Sequence, residues 1–208
     1  MRVLGIDCGG QATGLGVVET GADQVRGRDA RTHRAVSHGV IRAQAGEALP
    51  QRLDRIHRGI TAAILEHRPE WVAIEDIFYA ENARSALKLG HVRGVAMQAA
   101  AAQGIGIAEY TPLEVKSALT GYGRAGKEQV RHMVARLLGI PETGLPLDAS
   151  DALAVAICHL HAFPARQREE TWGAGRPRGA SGRAAAGQAP ALPPGAPPGL
   201  GRASRARR

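Results

Sequence analysis

The chain has 208 residues, 44% of them hydrophobic and 3% aromatic, with a formal net charge of +8 at pH 7. That length holds one ordinary domain with a real core plus an appendage, and neither an apolar run near the ~18 residues that span a bilayer nor a charged-then-apolar leader is present. A membrane-spanning protein and a disulfide-built secreted module are therefore disfavoured; the expectation is a cytoplasmic protein whose two cysteines, Cys8 and Cys158, are free thiols.

The opening MRVLGIDCGGQATGLGVVE reads as a strand over residues 2–7 that ends on a carboxylate, Asp7, with a second strand in ATGLGVVE. Gly9, Gly10 and Gly14 suit a tight connection and close backbone approach. AVSHGVIRA is a third strand, and the short links predict an antiparallel meander. Then the period changes. Leu49, Leu53, Ile56, Ile60 and Ile64 recur every three or four residues, which predicts an amphipathic helix closed before Pro69. WVAIE is a short strand that also ends on an acid, Glu75. The Ala- and Gly-rich run from Asn82 to Gln103 is a helix able to pack closely against a neighbour, and IGIAEY is a fifth strand. PLEVKSALTG is a short helix with Pro112 at its start, GKEQVRHMVARLLG is another, and LDASDALAVAICHLHAF is the last, expected to stop before Pro164. His159 and His161 are expected to pack or bond locally on that helix.

This order predicts an α/β fold with a mixed five-stranded sheet, three antiparallel strands plus two parallel, flanked by helices on both faces. From Arg166 onward nine arginines face only Glu169 and Glu170, so most of the net charge belongs to a Gly/Pro/Ala/Arg-rich tail. Such a segment buries too little surface to offset chain entropy. The expected organisation is a folded domain over 1–164 and a disordered basic tail over 165–208. The tail reads as a cationic arm attracted to phosphate or as a dispensable extension.

Asp7 and Glu75 both stand at C-terminal strand ends, where open α/β sheets place their sites. Asp148 and Asp151 are three apart and share a helix face. The bland reading makes Asp148 the N-cap of the last helix and Asp151 its N3 acid. The sharper reading brings all four acids together, an arrangement that repels itself unless a cation sits within it. Hard oxygen donors select Mg²⁺ or Mn²⁺, and two such ions suit phosphodiester hydrolysis.

Four segments occur in order: GID.G...TG.G around Asp7, AIEDIFYAENARSALKLGHVRGV around Glu75, EVKSALTGYGRAGKEQV, and DASDALAVAICH. Together they resemble the RuvC family of Holliday-junction resolvases, of the RNase H-like superfamily, over about residues 1–162. The resemblance implies an RNase H-like homodimer that nicks two opposed strands of four-way junction DNA and leaves 5′-phosphate ends. It implies Asp7, Glu75, Asp148 and Asp151 as ligands of two Mg²⁺ ions, with Mn²⁺ able to substitute, and RuvA and RuvB as branch-migration partners. One departure is Cys8, where the family usually has proline after the first acid; it puts a thiol next to the site.

Only three of the 27 basic side chains are lysine, Lys88, Lys116 and Lys127, and all fall in the family-like segments. Lys116 and Lys127 are expected near the scissile phosphate, where a compact ammonium stabilises developing charge. Lys88 reads as a DNA or helix-surface contact. Phe78 and Tyr79 directly follow the Glu75 strand, and an aromatic there stacks on an unpaired base in the resembled family. Arg84, Arg93, Arg124 and Arg131 are expected as phosphate contacts. Three alternatives stay open: an RNase H-like nuclease that trims structured RNA, an ATP-binding protein of the actin and sugar-kinase class, and a non-catalytic junction-binding module, against which the four intact acids argue. The second lacks its duplicated half and second phosphate loop in this sequence.

Overall fold

A computed structural model describes residues 1–22, 31–76 and 83–173. Strands β1 (Arg2–Cys8), β2 (Ala12–Ala22) and β3 (Arg31–Arg42) come first, followed by helix α1 (Leu49–His67) and strand β4 (Trp71–Glu75). Helix α2 (Ala83–Ala102), strand β5 (Gly106–Tyr110) and helices α3 (Pro112–Thr120), α4 (Lys127–Leu138) and α5 (Leu147–Gly173) complete the chain. The sheet order is β3-β2-β1-β4-β5. β1 pairs antiparallel with β2 and parallel with β4; β2 pairs antiparallel with β3, and β4 parallel with β5. The expected mixed sheet is present, and every expected element occurs in the expected order.

The sheet separates two apolar layers, because side chains alternate between its faces. Val3, Ala73, Ala108 and Tyr110 face a core shared with α3, α4 and α5. Leu4, Ile6, Cys8, Val72 and Ile74 face the opposite core, filled by Ile56, Ile60 and Ile64 of α1 and the small residues Ala96, Ala99 and Ala100 of α2. Helix α1 ends where expected, with Arg68 at φ 47° and its N–H donating to the Ile64 carbonyl at 2.8 Å.

Helix α5 differs from expectation at both ends. It runs to Gly173, past Pro164; proline removes one ladder bond and strains the local turn without obliging a helix to stop there. At its start Leu147 is already helical, and the Ser150 N–H donates to the Pro146 carbonyl at 2.9 Å. Asp148 is therefore inside the first turn and does not cap it. The two histidines also reach across elements. His159 is buried and its Nδ1 lies 2.9 Å from the Tyr110 hydroxyl of β5, while His161 Nδ1 lies 3.2 Å from the Ala118 carbonyl of α3 and its Nε2 3.1 Å from His33 Nε2 of β3.

Backbone nearly touches backbone where α5 crosses β1 and β2. A Cβ on Gly5 would lie 2.0 Å from the Ala152 carbonyl oxygen, and one on Gly14 would lie 1.9 Å from that of Asp148. At Gly16 it would lie 2.7 Å from the Leu153 amide nitrogen. These glycines form the bed on which the helix lies, and the bed fixes where the helix begins relative to the end of β1.

Candidate active site

The period-two rule places the first two acids. Asp7 shares its sheet face with Val3 and Gly5, and Glu75 shares its face with Ala73, so both point toward α5. Parallel pairing aligns Ile6 with Ile74, which leaves Asp7 and Glu75 side by side at the strand ends. The docking of α5 brings the other two acids, since Asp7 is paired with Gly14, the residue pressed against the Asp148 carbonyl. Asp151 stands one turn further along.

Burial and mutual charge act on three of these acids together, and Asp148 contributes its charge to two of them. Asp7 is pushed up to about 7, first by burial and then by Glu75, Asp151 and Asp148, with Lys127 opposing. Burial, followed by Asp151, raises Glu75, against the pull of Lys116 and Lys127. Asp151 is also raised, again chiefly by burial, with Lys127 and Lys116 opposing and Asp148 adding to it. Among the described residues no three His, Cys, Asp or Glu side chains are gathered tightly enough to hold an ion as they stand. The donor chemistry nevertheless fits a divalent cation: every candidate ligand is a carboxylate oxygen, and three of the groups carry a repulsion that positive charge would relieve.

Both expected lysines reach this place by different routes. Lys116 belongs to α3, whose start is fixed directly after β5 by a reciprocal cap. The Thr111 N–H donates to Glu114 Oε2 at 2.7 Å, and the Glu114 N–H donates to Thr111 Oγ1 at 3.2 Å. This cap was not read from the sequence, although T-x-x-E spells it. Lys127 is the first residue of α4, where a cation opposes the helix dipole. Its ammonium lies 3.9 Å from Asp151 Oδ2, and its side chain stays 74% exposed, free to meet a ligand at the acids.

The other expected contacts are divided. Arg93 does not face solvent freely: it pairs with Asp76 at 3.0 Å and with Glu109. Arg131 pairs with Glu128 at 2.6 Å and Glu142 at 3.4 Å. Lys88 and Arg124 are exposed on α2 and on the loop between α3 and α4, and Arg84 stands in the first turn of α2. Phe78 and Tyr79 lie outside the described residues. Cys8 is adjacent to Asp7 in sequence but faces the opposite core, buried against the α1 and α2 layer. Burial pushes its thiol up to about 12, so it is an apolar filler and not a ligand beside the acids.

A mixed sheet of this order, with carboxylates at the aligned ends of β1 and β4 and more delivered by the last helix, defines an RNase H-like nuclease. The particular family follows from comparison. Residues 3–159 match the family described as crossover junction endodeoxyribonuclease RuvC, and the chain belongs to that family. The RuvC of Koribacter versatilis is 55% identical over 161 residues, spanning 77% of this chain and 93% of that protein. Among solved structures, Thermus thermophilus RuvC superimposes with a TM-score of 0.71 at 35% identity, over 80% of this chain and 97% of that one. The same protein in complex with Holliday junction substrate gives 0.69 at 32% identity, over 79% and 96%. The protein is thus a DNA endonuclease, a hydrolase, of a family that uses divalent metal. No helix among the described residues is long and apolar enough to cross a membrane.

Proposed function

We propose that this chain resolves four-way DNA junctions in recombination and repair by paired, symmetric, Mg²⁺-dependent nicks, with Mn²⁺ able to replace Mg²⁺. The observation that carries this reading is the group of Asp7, Glu75, Asp148 and Asp151, of which three are driven upward in pKa by burial first and then by neighbouring acids of the group. These four would hold the two ions, which when bound supply the activated water and the neutralisation of phosphate charge. Asp7, the most strongly perturbed, would be among the residues that hold them. Lys127 offers an exposed ammonium within 3.9 Å of Asp151, and Lys116 stands close enough to lower both Glu75 and Asp151, so each can stabilise charge on the scissile phosphate. Lys88 and Arg124 are exposed enough to hold flanking phosphates, and Phe78 and Tyr79 are proposed for the unpaired bases.

A junction with two-fold symmetry calls for two equivalent sites, so a homodimer is proposed. The face lined by Leu53, Ala86, Leu87, Gly90, Gly94 and Val95 of α1 and α2 is apolar, and Leu87 is 65% exposed there. Small residues let a second copy approach closely. RuvA and RuvB are the proposed partners and the cytoplasm the proposed compartment; residues 165–173 continue helix α5, and the basic tail after them is the proposed appendage to the nuclease domain. The test is Mg²⁺-dependent nicking of a synthetic four-way junction mapped on each strand, beside linear duplex and structured RNA. Paired symmetric nicks with 5′-phosphate ends on the junction alone are expected. Equal cleavage of RNA would favour the RNA-processing alternative.

A further inference from the structure

Arg93 is a basic residue within a family-like segment, yet its guanidinium is turned into the protein. It bonds Asp76 Oδ1 at 3.0 Å and also pairs with Glu109, and its side chain is 24% exposed. The location of the partners gives this meaning. Asp76 directly follows Glu75, and its N–H donates to the Tyr110 carbonyl at 2.8 Å, continuing the parallel ladder one step past the strand. Glu109 is the penultimate residue of β5, aligned with Ile74. Ile74 faces the α1 and α2 layer, so Glu109 faces it too, opposite to Glu75. Arg93 therefore reaches up from α2 and joins the ends of β4 and β5 from behind, while the Glu75 carboxylate leaves on the other face.

We propose that Arg93 is a positioning residue for catalysis: by bracing Asp76 and Glu109 it fixes the strand end that presents Glu75, and it does not bind DNA phosphate. A planar fork suits this task, because one guanidinium spans two carboxylates in fixed directions where an ammonium offers a single point charge. Without it, two acids would stand uncompensated beside the end of β4 and push it away from its alignment with β1. Catalysis is sensitive to such shifts, since a small misplacement of a catalytic group lowers rate far more than binding. The inference rests on Glu75 serving as proposed above.

The experiment compares wild type, Arg93→Gln, Arg93→Lys and Glu109→Gln in full-length protein. Single-turnover nicking of a four-way junction at saturating Mg²⁺ is measured with junction Kd across a salt series, and circular dichroism checks folding. Arg93→Gln is expected to lose about tenfold or more in rate, with Kd and the slope of log Kd against log salt unchanged. Arg93→Lys should recover only part of that rate. Glu109→Gln, which keeps the bond to Asp76, should lose less than Arg93→Gln, and it serves as the test if Arg93→Gln fails to fold. A salt slope reduced by about one, with weakened binding and an unchanged rate for bound junction, would make Arg93 a phosphate contact and overturn the proposal. Unchanged rates in both variants would overturn it as well. A Glu75→Gln enzyme that still cuts would instead overturn the site assignment beneath it.

Discussion

Replacing Asp7 with Asn should make the metal-free protein more stable while abolishing its nuclease activity. The Asp7 carboxyl ionises at an ordinary 3.8 when exposed and at about 7 in the fold. At about 1.4 kcal/mol per tenfold change in the equilibrium, holding it ionised in the fold costs roughly 4 kcal/mol. A buried amide needs its own hydrogen-bond partners and returns about 1 kcal/mol of that, so a net gain of about 2–3 kcal/mol is expected. The sign follows from linkage. Below about pH 4 the carboxyl is protonated in both the folded and the unfolded chain, and the fold bears no penalty. As pH rises to about 7 the unfolded chain has released its proton while the fold retains it, so wild-type stability falls across that window. Above it the penalty is complete. Urea unfolding in EDTA between about pH 5 and 8 should therefore show the Asn variant gaining steadily on wild type. Adding Mg²⁺ should stabilise wild type more than the variant, because a cation bound only to the fold draws the equilibrium toward it. Equal stability of the two proteins at about pH 8 would refute the electrostatic argument, and a variant that still cuts junctions would refute the catalytic one.

Other consequences can be measured separately. Gly14→Ala would set a methyl 1.9 Å from the Asp148 carbonyl oxygen, and it should cost about 1–3 kcal/mol in urea unfolding and depress nicking by displacing the start of α5. Gly39→Ala, with nothing within 4 Å of the added Cβ, should change stability by less than about 0.5 kcal/mol and serves as its control. Lys127→Ala should lower the single-turnover rate by about a hundredfold with little change in junction Kd, since its ammonium lies beside Asp151; an unchanged rate would remove it from the site. Thr111→Ala breaks the reciprocal cap of α3 and should cost about 1 kcal/mol, with a loss of activity beyond any loss of fold because Lys116 rides on that helix.

The fold was legible because its signals are local. The switch from alternating to three-and-four spacing marks where strands give way to helices, and Ile56, Ile60 and Ile64 are indeed the buried stripe of α1. The acids were legible as strand-end residues and as an i, i+3 pair. The errors occurred where a local rule was overridden. Pro164 was read as a stop, yet the helix continues. Asp148 had the chemistry of a cap, yet Pro146 occupies that place. Arg93 is basic and sits in a family-like segment, but its ion pairs are with two acids from other elements that chain order does not bring near it.

By itself the sequence determined the elements, their order, the two-faced pattern of the strands and the chemical type of the site, because spacing and residue identity carry that information locally. Only the tertiary structure decided that Asp7, Glu75 and the start of α5 lie on one side of the sheet, that Cys8 turns to the other, and that Arg93 pairs with Asp76 and Glu109 at the strand ends. Those facts depend on which sheet face each residue takes and on how closely α5 can press against Gly5, Gly14 and Gly16. Both are settled by register and packing between segments far apart in the chain.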